Sequence, residues 1–175
     1  EFGALIAVCD KELYGKTLGI LGLGRIGVEL AKRAAVFGMK VIAYDPFVSE
    51  SENAEIIPQL TDVLNKADFV SMHMPLTDET EGIINQNLLH EFKDGAYLIN
   101  TGRGKTIVED DVVASLASGK LSGFGTDVWY SDPPVNSPLI NAPNILMLPH
   151  IGASTKENLI RIGEIICSII SEFNQ

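Results

Sequence analysis

The glycine-rich stretch Gly22-Leu23-Gly24-Arg25-Ile26-Gly27 stands between an apolar run, Thr17–Leu21, and a segment, 28–37, with the apolar spacing of a helix. No other feature of the chain restricts its fold as much. A lone G-x-G-x-x-G carries little, since 175 residues with 16 glycines produce near-matches by chance. Here a second apolar run, Lys40–Tyr44, follows and ends in Asp45, 18 positions past Gly27. Strand, glycine turn, helix, strand and terminal acid together form the dinucleotide-binding fingerprint.

Each part has a physical role. Gly22 permits the tight turn, Gly24 lets the backbone approach a pyrophosphate, and Gly27 lets the helix pack close to the strand. The helix N-terminus offers free N–H groups and a partial positive charge to phosphates. Asp45 is placed to accept hydrogen bonds from ribose hydroxyls and to repel a 2′-phosphate. No Arg or Lys follows it directly, the next residues being Pro46, Phe47 and Val48. The expected cofactor is therefore NAD rather than NADP.

Strand-like and helix-like segments alternate to the end of the chain. Further apolar runs at 55–57, 69–72, 96–99, 123–128 and 145–148 read as strands, with helical patterns at 61–66, 86–92 and 109–118 between them. Thr61 and Glu109 or Asp110 fall where N-caps or first-turn acids belong. Apolar strands separated by helices predict an α/β fold: a Rossmann-type, doubly wound parallel sheet of about seven strands with helices on both faces. The whole of 1–175 reads as one NAD-binding domain. The longest irregular stretch, 130–144, holds four of the eight prolines, and a loop of that length is usually functional. In the last helical segment, 154–173, Leu159, Ile162, Ile166, Ile169 and Phe173 form a stripe that Ile160, Ile165 and Ile170 widen. Packing on the sheet is the expected use of this stripe; the alternative is that part of it faces a second domain or subunit.

Composition narrows the partners. A formal charge of −10 disfavours nucleic acid or an anionic membrane as the main partner. No apolar run approaches a membrane span, and the opening Gly3-Ala4-Leu5-Ile6-Ala7-Val8 has neither the basic region nor the cleavage site of a signal peptide. Cys9 and Cys167 show no metal-ligand spacing and no disulfide framework, so no metal is expected. Both sit among apolar neighbours and are expected to be buried free thiols in a reducing compartment, which makes the cytoplasm the default location.

Ligands of doubly wound sheets bind outside the carboxyl ends of the strands, and this sequence places its unusual polar residues there. His73-Met74-Pro75 follows one strand, Asn100-Thr101-Gly102-Arg103-Gly104 another. Asp127 and Asp132-Pro133-Pro134 follow the sixth strand, and Pro149-His150-Ile151-Gly152 the seventh. An Arg, an acid and a His on one sheet edge beside a nicotinamide amount to a dehydrogenase constellation.

From 13 to the helix after His150, these ordered motifs resemble the NAD-binding domain of the D-isomer-specific 2-hydroxyacid dehydrogenases. That family includes phosphoglycerate, glycerate/hydroxypyruvate and D-lactate dehydrogenases. The resemblance implies that Arg103, in an N-x-x-R-G motif, binds the substrate carboxylate and C2 oxygen. It implies that His150, in P-H-x-G, exchanges the proton of the C2 hydroxyl, with Asp132 hydrogen-bonded to it. It also sets Arg25 and Ile26 over the pyrophosphate, Met74-Pro75 on the ribose side, Thr101 and Gly102 at the entry to the active site, Asp127 at the nicotinamide carboxamide, and Gly152 beside the cofactor. His73 is read as support for the cofactor loop. The residue types suit this chemistry, because His serves as base or acid near neutral pH and the Arg fork matches a planar carboxylate. Asp132 departs from the family's usual Glu and is one methylene shorter, so the loop must come closer or the contact must lengthen or take up a water.

Members of the family carry a second, N-terminal substrate domain, whose counterpart is expected to be absent from this chain. A chain of this kind binds NAD and turns over slowly or not at all by itself. Its substrate would be a small 2-hydroxy or 2-keto acid, glycerate/hydroxypyruvate or phosphoglycerate first, and the intact protein would be a homodimer. The alternative is a non-catalytic, NAD-sensing module of the dehydrogenase-like corepressor kind.

Overall fold

The computed structural model describes residues 12–173. Seven parallel strands lie in the order β3-β2-β1-β4-β5-β6-β7, with β1 at Thr17–Leu21, β2 at Lys40–Tyr44, β3 at Glu55–Ile56, β4 at Phe69–Met72, β5 at Ala96–Asn100, β6 at Leu121–Thr126 and β7 at Ile145–Met147. Among the described residues five α-helices accompany them: α1 at Arg25–Val36, α2 at Leu60–Lys66, α3 at Gln86–His90, α4 at Glu109–Ser118 and α5 at Lys156–Phe173. The order reverses between β1 and β4, the switch point of a doubly wound sheet. The predicted α/β class and strand number are those observed.

Two cores flank the sheet. On one face, Ala31 and Ala34 of α1 pack against Leu18, Ile20, Val41 and Ala43. On the other, Val63 and Leu64 of α2, Leu89 of α3 and Val112 and Leu116 of α4 meet Leu21, Ile42, Val70, Leu98 and Phe124. Strands buried on both sides explain why apolar runs were their signal.

Boundaries shift where polar or glycine residues interrupt the pattern. The first helix starts at Arg25 rather than 28, because Gly27 already lies within its first turn and is buried. Strand β6 occupies Leu121–Thr126, two residues ahead of the predicted 123–128, so Asp127 lies just beyond the strand. Thr61 is not a cap: α2 follows Gln59, which makes no side-chain capping bond. Glu109, Asp110 and Asp111 do occupy the first turn of α4. The long loop 130–144 contains a short 3-10 turn, Pro138–Asn141, whose first free N–H is accepted by Ser137.

The largest correction concerns α5. None of its residues is buried, and the eight apolar side chains of its stripe are between 44% and 88% exposed. The stripe does not pack on the sheet of this domain. Cys167, on the same helix, is an exposed rather than a buried thiol. Cys9 and the segment Gly3 to Val8 lie outside the described residues. Among the described residues no helix is long and apolar enough to cross a membrane.

Candidate active site at the carboxyl ends of the strands

The first wall of the site is the glycine turn after β1. Gly22 has φ of +93°, a left-handed value, and a Cβ on Gly27 would stand 2.4 Å from the Gly22 carbonyl oxygen. Both glycines are therefore required for the strand to turn directly into α1. At Gly24 a Cβ would meet nothing within 4 Å; this is the open side, where a cleft lined by Leu23, Gly24, Arg25, Val28 and Glu29 begins. No side chain caps α1 and no acid lies in its first turn. Among the described residues the N–H groups of Gly24, Arg25, Ile26 and Gly27 have no acceptor. A bare helix N-terminus above an open glycine fits a pyrophosphate.

Asp45, at the end of β2, braces this turn. Its Oδ2 accepts from Leu23 N–H at 2.8 Å and its Oδ1 from Phe47 N–H at 2.9 Å. A carboxylate has about four lone-pair sites, so two such bonds leave capacity for ribose hydroxyls. The sequence showed the acid but not its link to the turn.

Beyond β4, His73 bridges to Ser71 Oγ through Nε2 at 3.0 Å and to Thr101 Oγ1 through Nδ1 at 3.3 Å. Burial pushes its pKa down. Both ring nitrogens are engaged between two strand ends, which is how a supporting residue is held. Met74 is buried beside it, and Pro75 follows.

After β5, the turn that carries Arg103 is closed by the asparagine at the head of its motif. Asn100 is fully buried; its Oδ1 accepts from Gly102 N–H at 3.0 Å and its Nδ2 donates to the Arg103 carbonyl at 3.0 Å. Thr106 Oγ1 donates to the same carbonyl at 2.6 Å. Arg103 spends Nη1 on the Gly102 carbonyl at 2.8 Å, which leaves most of its five donors for an anion. A Cβ at Gly104 would lie 2.1 Å from the Trp129 carbonyl carbon, so this turn and the segment after β6 touch backbone to backbone. The asparagine of N-x-x-R-G was the available signal.

The third group joins the ends of β6 and β7. His150 Nδ1 pairs with Asp132 Oδ2 at 2.6 Å, both side chains half exposed. Of the three outcomes open to the shorter acid, the direct contact is the one observed. Trp129 Nε1 donates to the Leu148 carbonyl at 3.0 Å, and Tyr130 OH to the Ile107 carbonyl at 2.6 Å. Asp127 spends both carboxylate oxygens on Ile151 and Gly152 N–H, at 2.8 and 2.7 Å. The fold thus gathers the turns bearing Arg103, Asp132 and His150 at the ends of the adjacent strands β5, β6 and β7. The dinucleotide turn and Asp45 lie at the ends of β1 and β2, across the switch point.

Fold and site together define a dinucleotide-binding domain of the dehydrogenase kind. Residues 5–152 match the family model for the D-isomer specific 2-hydroxyacid dehydrogenase, NAD binding domain, and the chain belongs to that family. It is 43% identical over 170 residues to a hydroxypyruvate reductase of Thermotoga maritima, covering 95% of this chain and 56% of the relative. It is 41% identical to a D-3-phosphoglycerate dehydrogenase of Bacillus subtilis, covering 95% of this chain and 32% of that one. The fold matches an NAD-dependent formate dehydrogenase from Staphylococcus aureus in complex with NAD, at TM-score 0.89 and 33% identity over 98% of this chain and 52% of that chain. It also matches a D-lactate dehydrogenase from Aquifex aeolicus complexed with NAD and lactic acid, at TM-score 0.85 and 34% identity over 93% and 54%. The chain therefore spans between about a third and just over half of these relatives' lengths.

Proposed function

We propose that this domain is the cofactor half of an oxidoreductase that moves hydride between a D-2-hydroxy acid and NAD. Glycerate/hydroxypyruvate or phosphoglycerate is the substrate class favoured by the hydroxypyruvate reductase and phosphoglycerate dehydrogenase relatives. The observation that carries the reading is the 2.6 Å His150–Asp132 pair on the same sheet edge as Arg103. The free helix N-terminus, Arg25 and Ile26 take the pyrophosphate, Asp45 the adenosine ribose, and Met74, Pro75, Thr101 and Gly102 the path toward the nicotinamide.

When bound, NAD supplies the acceptor for the C2 hydride. Arg103 holds the substrate carboxylate and C2 oxygen through its remaining donors, fixing which face of C2 is presented. With Nδ1–H donated to Asp132, His150 keeps Nε2 bare and takes the C2 hydroxyl proton. In the reverse direction the imidazolium returns it, and the Asp132 carboxylate stabilises that cation.

A substrate domain, on this reading, closes over the exposed α5 stripe and completes the cleft; the intact protein is a cytoplasmic homodimer. The uncovered apolar face and the partial coverage of the relatives support the first part. The charge of −10 supports excluding nucleic acid and anionic membrane as partners.

The test has two arms. NADH titrated into the chain should quench Trp129, the single tryptophan, with saturation and in preference to NADPH, while hydroxypyruvate is reduced slowly or not at all. In the protein completed by its substrate domain, His150→Gln should cut turnover about 10²- to 10⁴-fold with NADH affinity kept. Turnover untouched by that substitution would instead favour a non-catalytic NAD sensor, and full turnover by the 175 residues alone would sink the half-enzyme reading.

A further inference from the structure

His150 sits in a backbone conformation that it would not hold unaided. Its φ is +57°, in the left-handed region where a Cβ crowds the following carbonyl, so residues other than glycine stay there only when their surroundings hold them. The surroundings here are specific. The next two N–H groups, of Ile151 and Gly152, converge on one carboxylate, with Asp127 Oδ1 at 2.8 Å and Oδ2 at 2.7 Å. Successive N–H groups beside a left-handed residue form an anion-binding concavity, and Asp127 fills it from within the chain. Asp127 is itself fixed, at 6% exposure, with its N–H donating to the Asn100 carbonyl at 3.2 Å. Ahead of His150, Leu148 is tied on both sides: its N–H donates to Thr126 O at 2.9 Å and its carbonyl accepts from Trp129. The turn is therefore gripped before and after the histidine from the end of β6.

We propose that Asp127 is a positioning residue for His150, beyond the carboxamide contact that the family resemblance implies for it. Its carboxylate holds the left-handed turn, and the turn aims the imidazole so that Nδ1 meets Asp132 and Nε2 stays bare. This rests on the acid/base reading of His150 above. Two oxygens are needed for two donors. An amide at this position would set its NH2 against one of the two N–H groups, so Asp127→Asn opens the grip although the shape is kept.

The experiment uses the 175-residue chain with no cofactor, labelled with 15N in its histidine rings. There are three histidines, and His150 is assigned by the signal lost in His150→Gln. Ring 15N shifts at alkaline pH read the tautomer directly. The unmodified chain should show the Nδ1–H form, and the control Asp132→Ala should move it toward Nε2–H. Asp127→Asn should move it the same way while Asp132 is intact, and the Ile151 and Gly152 amides should exchange faster. A tautomer unchanged in Asp127→Asn but shifted in Asp132→Ala overturns the proposal and leaves the His150–Asp132 reading standing. A tautomer unchanged in both overturns the two together. Should Asp127→Asn lose its fold, Gly152→Ala serves instead. Its Cβ would lie 2.9 Å from Asp127 Oδ2 and displace that oxygen from the Gly152 N–H, so a smaller shift of the same sign is expected and none would refute the proposal.

Discussion

At 2.6 Å between His150 Nδ1 and Asp132 Oδ2 there is no slack for a longer acid. Asp132→Glu adds a methylene to a contact already closed, so the ring or the loop must yield. Misplacement by about 1 Å can cost up to about 10²-fold in rate; steady-state turnover of the completed protein should fall toward that figure while NADH affinity holds. Turnover equal to the unmodified enzyme would show that the loop adjusts freely. Asp45 makes a second residue-scale case, because it braces the glycine turn as well as facing a ribose. Asp45→Ala removes the acceptor of Leu23 N–H, and a hydrogen bond to a charged group is worth about 1.5–3 kcal/mol. NADH binding by isothermal titration should weaken by at least about tenfold, with less discrimination against NADPH. An affinity loss confined to NADH would argue for the ribose contact alone.

Among the elements, the polar ties at the amino ends of β1 and β4 govern stability rather than chemistry. Asp68 Oδ2 accepts from Thr17 N–H at 2.8 Å and Oδ1 from Lys93 Nζ at 2.5 Å. Partial burial pushes its pKa up, but the Lys93 and Thr17 hydrogen bonds together outweigh it and hold the group below its ordinary 3.8. A depressed carboxyl stabilises the fold above its unfolded pKa, and that stability is lost as pH falls through the folded value. Asp68→Asn should cost about 1–2 kcal/mol in urea unfolding near pH 7, since the pair is partly exposed. The gap should narrow as pH falls below the ordinary carboxyl value and through the depressed folded one, and NADH binding at the opposite strand ends should not change. Nothing in the sequence singled out Asp68: a lone acid before a strand has no pattern. The strands themselves were legible because burial on both faces makes them uniformly apolar. The start of β6 is hidden because Lys120 and Ser122 flank Leu121, and the N-x-x-R-G motif displays Asn100 but not the backbone groups on which its side chain works.

For the whole molecule, periodicity reveals that a face is apolar but not what it meets. The stripe of α5 was plain in the sequence, yet its expected packing on the sheet is absent, as is burial of Cys167. Substitution separates the two situations sharply. Ile20 is fully buried in the core beside α1, and Ile20→Ala should cost about 2–5 kcal/mol. Ile162 and Ile166 on α5 are half exposed and reach no core, so Ile162→Lys with Ile166→Lys should change stability by no more than about 0.5 kcal/mol. Trp129, packed within the core on the other face, reports urea unfolding for both. The lysine pair should also reduce binding of an apolar dye and leave NADH affinity unchanged, because the exposed patch is broken and the dinucleotide turn is not touched. A cost above about 2 kcal/mol from the lysine pair would mean that α5 folds back onto the β5–β7 side of the sheet in solution. The surface for the proposed substrate domain would then have to be sought elsewhere, at the exposed Leu146, Leu148 and Ile151 around β7.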